Sequence, residues 1–272
     1  MAYGINWVRQ MAAAVLVCGM LTLASPAAAA PYSQLIVFGD SLSDVGNNGR
    51  YTDGYLWDEH LAGALGVALT PSTSGGTDYA VSGALITAGS DSLPNQVSTY
   101  LTAHHKADPL ALYAIWGGGN DAFSTLSNPS SAAAITTAGV ADTVAMIQAL
   151  HKAGARHFVV INLPHTDLTP LVRGLGASAM AQQAALVASW NTQLTTALKG
   201  LHLPAASLLR YDTASALQAV VNSPTHFAFT NYIAACNGNC ADPAHTLFWD
   251  DVHPASTGHA QIGSAVLALV TQ

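Results

Sequence analysis

The chain has 272 residues, 50% of them hydrophobic and only 8% charged, and its 15 acidic and 8 basic side chains leave a net charge near −7. The few Lys and Arg residues are scattered and build no basic face, which excludes a nucleic-acid partner. No linker or internal repeat divides the sequence, and its length suits one α/β domain with a sizeable core.

Residues 1–30 read as a cleaved leader. Arg9 precedes an apolar stretch from Met11 to Leu23, and Ser25 to Ala30 offers small residues for a cut after Ala28 or Ala29. That stretch is shorter than the roughly 18 residues a membrane span requires, and Cys18 lacks the small preceding residue of a lipoprotein signal. Residues 31–272 are therefore expected to form one exported domain, secreted or periplasmic, with no transmembrane segment.

Within that domain, apolar runs at Leu35–Phe38, Leu110–Trp116, His157–Leu163 and Ala205–Leu209 predict strands, with a shorter strand at Tyr79–Val81. Between them, helical patterns cover Leu56–Val67, Leu93–Lys106 with Pro94 in the first turn, Ala132–Ala153 before Gly154, and Ser178–Lys199 before Gly200. A last helix follows Pro254 to Val270. Alternation of strands and longer helices predicts a parallel central sheet in a three-layer α/β/α domain.

The segment Phe38-Gly39-Asp40-Ser41-Leu42-Ser43-Asp44 follows the first strand directly. It puts a serine hydroxyl at the carboxyl end of a buried strand, where open parallel sheets bind ligands. By itself the turn is equally a helix cap. A serine becomes a nucleophile when a base takes its proton and a third group orients that base. Asp250 and His253, three residues apart near the C-terminus, fit those two roles. Acyl transfer also needs donors for the oxyanion. Asn120, in Gly117-Gly118-Gly119-Asn120-Asp121, can supply a side-chain donor, and Ser41 and Gly83 can supply backbone N–H groups.

These segments together resemble the blocks of the GDSL, or SGNH, hydrolases. Residues 38–44 are similar to the first block, Tyr79-Ala80-Val81-Ser82-Gly83-Ala84 to the second, Gly118-Gly119-Asn120-Asp121 to the third, and Phe248-Trp249-Asp250-Asp251-Val252-His253-Pro254 to the last, all in order. The resemblance spans residues 35 to about 265. It implies the flavodoxin-like fold of that family, Ser41 as nucleophile, His253 as general base and acid, Asp250 as its orienting carboxylate, and an oxyanion hole from the Ser41 and Gly83 N–H groups and the Asn120 side chain. It also implies a serine esterase or lipase acting on carboxylic esters, phospholipid, lysophospholipid and short-chain acyl esters among them, without metal or organic cofactor. An acyltransferase using the same acyl-enzyme is the alternative within the class, and a catalytically silent binding module the alternative outside it. The longer match over Gly39–Asn48, with Ile161-Asn162-Leu163-Pro164, is similar to the secreted phospholipase, lecithinase and haemolysin branch. Longer members of that branch add a C-terminal membrane barrel, and none is expected here.

Cys236 and Cys240 flank Asn237-Gly238-Asn239, a tight-turn sequence, and export would expose them to an oxidising compartment. A local disulfide is expected. Asp44, Asn47 and Asn48 are expected to pin the loop after Ser41. Trp249 is read either as lining the acyl site or as packing beneath the Asp250 turn. The ten histidines other than His253 show no zinc spacing and are expected at the surface or as satisfied polar groups.

Overall fold

The computed structural model describes residues 31–272, so the expected leader lies outside the described residues. Strands β1 (Leu35–Gly39), β2 (Leu112–Trp116), β3 (His157–Ile161) and β4 (Ser207–Tyr211) form a parallel sheet in that order. The helices are α1 (Trp57–Leu65), α2 (Leu93–Ala103), α3 (Gly119–Ser124), α4 (Ala132–Ala153), α5 (Pro170–Gly174), α6 (Ala177–Gly200), α7 (Thr213–Asn222) and α8 (Ser256–Val270). A second parallel pair, β5 (Asn231–Ala235) and β6 (Thr246–Phe248), lies between α7 and α8.

Strand side chains alternate between two faces, and the three inner-layer strands are apolar at nearly every position, so each face needs its own cover. Ile36, Phe38, Tyr113, Ile115, Phe158 and Val160 pack under α2, α4 and α6. Leu35, Val37, Leu112, Ala114, Val159 and Ile161 pack under α1 and α8. The three layers follow directly, as the helix and strand alternation predicts. Helix α4 is apolar and long enough to cross a membrane by length and composition. Here Thr136, Gly139, Val140, Thr143, Ile147 and Leu150 form its buried stripe, the pattern of a helix lying on a core.

The expected strand at Tyr79–Val81 is instead an irregular edge segment. Val37 N–H donates to Thr77 O, Tyr79 N–H to Val37 O and Val81 N–H to Gly39 O, so the segment runs parallel beside β1. Its outward Ala80 N–H turns back onto the Asp78 carboxylate at 2.9 Å, which blunts the edge. With this segment included, the spatial order is 2-1-3-4-5 in chain sequence. The chain thus leaves β1 to one side and then crosses to the other, opening a crevice beyond the carboxyl ends of β1 and β2.

Two strand starts differ from expectation for local reasons. Leu110 is exposed, its N–H held by the Asp108 side chain at 2.8 Å, and β2 begins only at Leu112. Pro204 and Ala205, the latter at φ +56°, hold a turn before β4 and delay its start to Ser207.

Candidate active site

Strand β1 ends at Gly39, whose N–H and C=O are both held by the Gln96 side chain of α2, at 2.9 and 2.8 Å. The chain then turns sharply, Ser43 N–H donating to Asp40 O at 3.0 Å, and presents the Ser41 hydroxyl at the crevice. On the opposite side β6 leads into the turn 249–253, closed by Trp249 N–H on His253 O at 2.8 Å. Asp250 Oδ1 accepts the N–H groups of Val252 at 2.9 Å and His253 at 2.8 Å. The same carboxylate meets His253 Nδ1 at 2.7 Å through Oδ2. Asp250 therefore does cap a turn, and that turn is the one that carries the histidine. His253 Nε2 lies 2.8 Å from Ser41 Oγ. Residues 212 positions apart in sequence are joined in one hydrogen-bonded chain, carboxylate to imidazole to hydroxyl.

Electrostatics favour this polarity. Burial acts to raise the Asp250 pKa, but hydrogen bonds from His253 and from the Val252 and His253 N–H groups outweigh it, and the carboxyl sits below its ordinary value. Asp250 is thus an anion facing Nδ1, which places the ring proton there and leaves Nε2 to accept from serine.

The segment 82–87 is clamped from both sides by buried carboxylates. Asp44 accepts the N–H groups of Gly46, Asn47, Asn48 and Ser82, the last at 2.7 Å. Asp121 accepts those of Ile86 and Thr87 at 2.8 and 3.1 Å. Gly83 sits between the clamps at φ +87°, a conformation open to glycine and strained for other residues, and it lines the cavity. Asn120, in the first turn of α3, donates from Nδ2 to Ala84 O at 2.9 Å and lines the same cavity. The sequence-derived candidates Ser41, Gly83, Asn120 and His253 therefore line one cavity, and Asp250 stands behind His253, bound to its Nδ1. Gly118, at φ +104°, starts α3 where a Cβ would stand 2.8 Å from Trp190, so the glycine run is a packed helix start. Asn47 and Asn48 bind the carbonyls of Ala80 and Ser82, the loop-pinning role expected for them.

Several site features escaped the sequence. Asp40 is buried beside Ser41, and burial pushes its carboxyl up to about 6. The Tyr51 ring stacks on the His253 ring at 4.9 Å. His165 lines the cavity with Nδ1 on Asp167 at 2.9 Å. None of these residue types stands out in a linear reading, because each is an ordinary loop residue until the chain folds.

Two histidine and tryptophan readings are settled by position. His259 corrects the expectation of a surface or satisfied ring: it is fully buried on α8, and neither ring nitrogen has a hydrogen-bond partner among the described residues. Burial drives its pKa down to about 3, so it is held neutral. Trp249 packs against Gly238 of the cysteine loop instead of lining the cavity. Cys236 and Cys240 are joined as a disulfide, with Cα atoms 4.6 Å apart.

The cavity has a volume of about 380 Å³. Its lining includes Phe123, Pro164 and His165 and residues of both α7 and α8.

With this geometry in hand, comparison with known proteins is decisive on the family. The family model described as GDSL-like Lipase/Acylhydrolase matches residues 35–266. The chain belongs to this family. Among relatives of the GDSL-like lipase/acylhydrolase chain, Lipase 1 of Photorhabdus luminescens is 41% identical over 167 residues, covering 57% of this chain and 26% of that protein. Esterase EstA of Pseudomonas aeruginosa is 30% identical over 334 aligned positions, covering 97% of this chain and 50% of that protein. The chain thus spans a quarter to a half of the length of these curated relatives. A solved structure of a member of the lipolytic protein G-D-S-L family from Veillonella parvula superposes with a TM-score of 0.55 at 16% identity, covering 88% of this chain and 98% of that one, which supports the fold.

Proposed function

We propose that residues 31–272 form an exported carboxylic ester hydrolase that works through an acyl-enzyme on Ser41. The observation that carries this reading is the 2.8 Å contact between Ser41 Oγ and His253 Nε2, with Asp250 on the other ring nitrogen. His253 takes the Ser41 proton as Oγ attacks the ester carbonyl, and the Asp250 anion stabilises the resulting imidazolium. Negative charge then develops on the carbonyl oxygen, and the oxyanion donors in this reading are the Ser41 and Gly83 N–H groups and the second N–H of the Asn120 amide, a role supported by the place of all three residues in the cavity lining. His253 returns the proton to the departing alkoxide, and a water repeats the sequence to release the acid. The disulfide and the apolar N-terminal sequence support export, since such bridges persist in oxidising compartments.

Intact-mass spectrometry after treatment with an organophosphonate tests the nucleophile. One adduct is expected on the native chain and none on Ser41→Ala, with kcat for a p-nitrophenyl ester down by about 10⁴ to 10⁶ in the variant. An adduct that persists in Ser41→Ala would overturn the assignment.

A further inference from the structure

The cavity has a direction, and helical spacing gives it a length. Helix α7 starts at Thr213, directly after the carboxyl end of β4, and contributes Thr213, Ala216, Leu217 and Val220 to the lining. Those positions, i, i+3, i+4 and i+7, form one face of a helix. Helix α8 starts just after His253 and contributes Gly258, Gln261, Ile262 and Ala265, again one face. At its far end Val270 O accepts the Tyr32 hydroxyl at 2.8 Å, so α8 runs from the catalytic edge of the sheet to the opposite edge. The two lining faces therefore bound a channel that descends from the triad between the helices. From Gly258 to Ala265 the helix rises about 10 Å.

The channel walls are hydrocarbon. Leu217, Val220, Ile262 and Ala265 are joined by Leu247 and by Phe227 of the turn Pro224–Phe227. The polar exceptions are Thr213, in the first turn of α7, and Gln261, whose Nε2 donates to Phe227 O at 2.9 Å. That bond stitches the turn to α8. An extended alkyl chain advances about 1.25 Å per carbon, given bonds near 1.5 Å at tetrahedral angles. About 10 Å of channel then holds on the order of eight carbons.

The geometry points to this channel as a medium-chain acyl subsite, in which Ala265 and Val220 set the chain-length limit and the Gln261 to Phe227 stitch closes the side wall. The inference rests on the acyl-enzyme reading of Ser41 and deepens it by naming the acyl class. Hexanoyl to decanoyl esters are the fitting substrates, because each methylene buried in the channel adds transfer free energy until the channel is full. Past that length further carbons must bend back or displace the wall.

A series of p-nitrophenyl esters from acetate to palmitate tests this on the full chain. In the wild type, kcat/KM should rise about three- to fourfold per methylene, peak near octanoate and fall by palmitate. Ala265→Phe places a ring across the lower channel, and the ratio of octanoate to acetate kcat/KM should drop at least about 30-fold. Gln261→Ala frees the turn and should move the peak toward dodecanoate. Organophosphonate labelling of Ser41 in each variant counts folded, competent sites, so the ratios are read only on labelled protein. A chain-length profile that is flat in the wild type, or an octanoate to acetate ratio unchanged in labelled Ala265→Phe, overturns the channel while leaving the esterase reading intact. Failure to turn over any ester, with no label on Ser41, overturns both.

Discussion

Replacing Asp250 with Asn tests the polarity of the hydrogen-bonded chain, and the structure fixes how the damage should divide between activity and stability. Oδ1 holds the Val252 and His253 N–H groups, and an amide oxygen placed there keeps both bonds. The turn should therefore survive, at a cost of about 1 kcal/mol for the lost charge-assisted bond in a half-buried site. The amide NH₂ then takes the Oδ2 position, 2.7 Å from His253 Nδ1 in the native chain. Donor now faces donor at that position, and Oδ1, 2.9 Å from Nδ1, is already shared by the Val252 and His253 N–H groups, so the expected outcome is a ring that carries its proton on Nε2, pointing at Ser41. In a Ser-His-Asp system this tautomer costs about 10⁴ in kcat, or about 5 kcal/mol of barrier. Asp251 is the internal control. It is exposed, and its link to the fold is its backbone carbonyl, which accepts the Leu171 N–H at 2.9 Å. Asp251→Asn should thus keep kcat within about twofold. Rates of p-nitrophenyl acetate hydrolysis from pH 5 to 9, with thermal melts of both variants, make the comparison. If Asp251→Asn is the crippled variant while Asp250→Asn keeps its neutral-pH activity, the assignment is wrong.

Asn120→Ala should lower kcat by roughly 10² to 10³ with little change in KM, and wild-type kcat in that variant would return Asn120 to a loop-holding role through Ala84 O. His259 is neutral when folded, with its pKa pushed down to about 3 against 6.5 when unfolded. Its contribution to stability is therefore complete above pH 6.5 and lost as pH falls toward 3, amounting to about 2 kcal/mol by pH 5. His259→Met should flatten that acid slope in urea titrations at pH 5 and 7.5, and an unchanged slope would show that other groups set it. The Cys236 to Cys240 bridge closes a very short loop, so replacing both residues with Ser should cost about 2 kcal/mol and loosen the segment under Trp249. Mass analysis of native exported protein should find neither thiol open to alkylation, and two alkylated cysteines would contradict the bridge.

The layers were legible in the sequence because strand and helix periods are local: Leu35–Phe38 alternates between two buried faces and Ala132–Ala153 keeps one apolar stripe, whatever surrounds them. The candidate triad was legible for a different reason. Ser41, Asn120 and His253 each sit in a short block of turn-forming residues whose identity is set by backbone geometry, and Asp250 reaches His253 across three positions. Burial and long-range proximity were not legible. Nothing local distinguishes His259 from an exposed helical histidine, or Asp40 from any turn aspartate, because their protonation is governed by solvent exclusion from elements distant in sequence. The edge segment beside β1, and with it the strand order that opens the crevice at Ser41, depends on hydrogen bonds between residues about forty positions apart. The channel between α7 and α8 exists only because two helices from different parts of the chain both begin at the catalytic edge and leave their small and apolar faces apart.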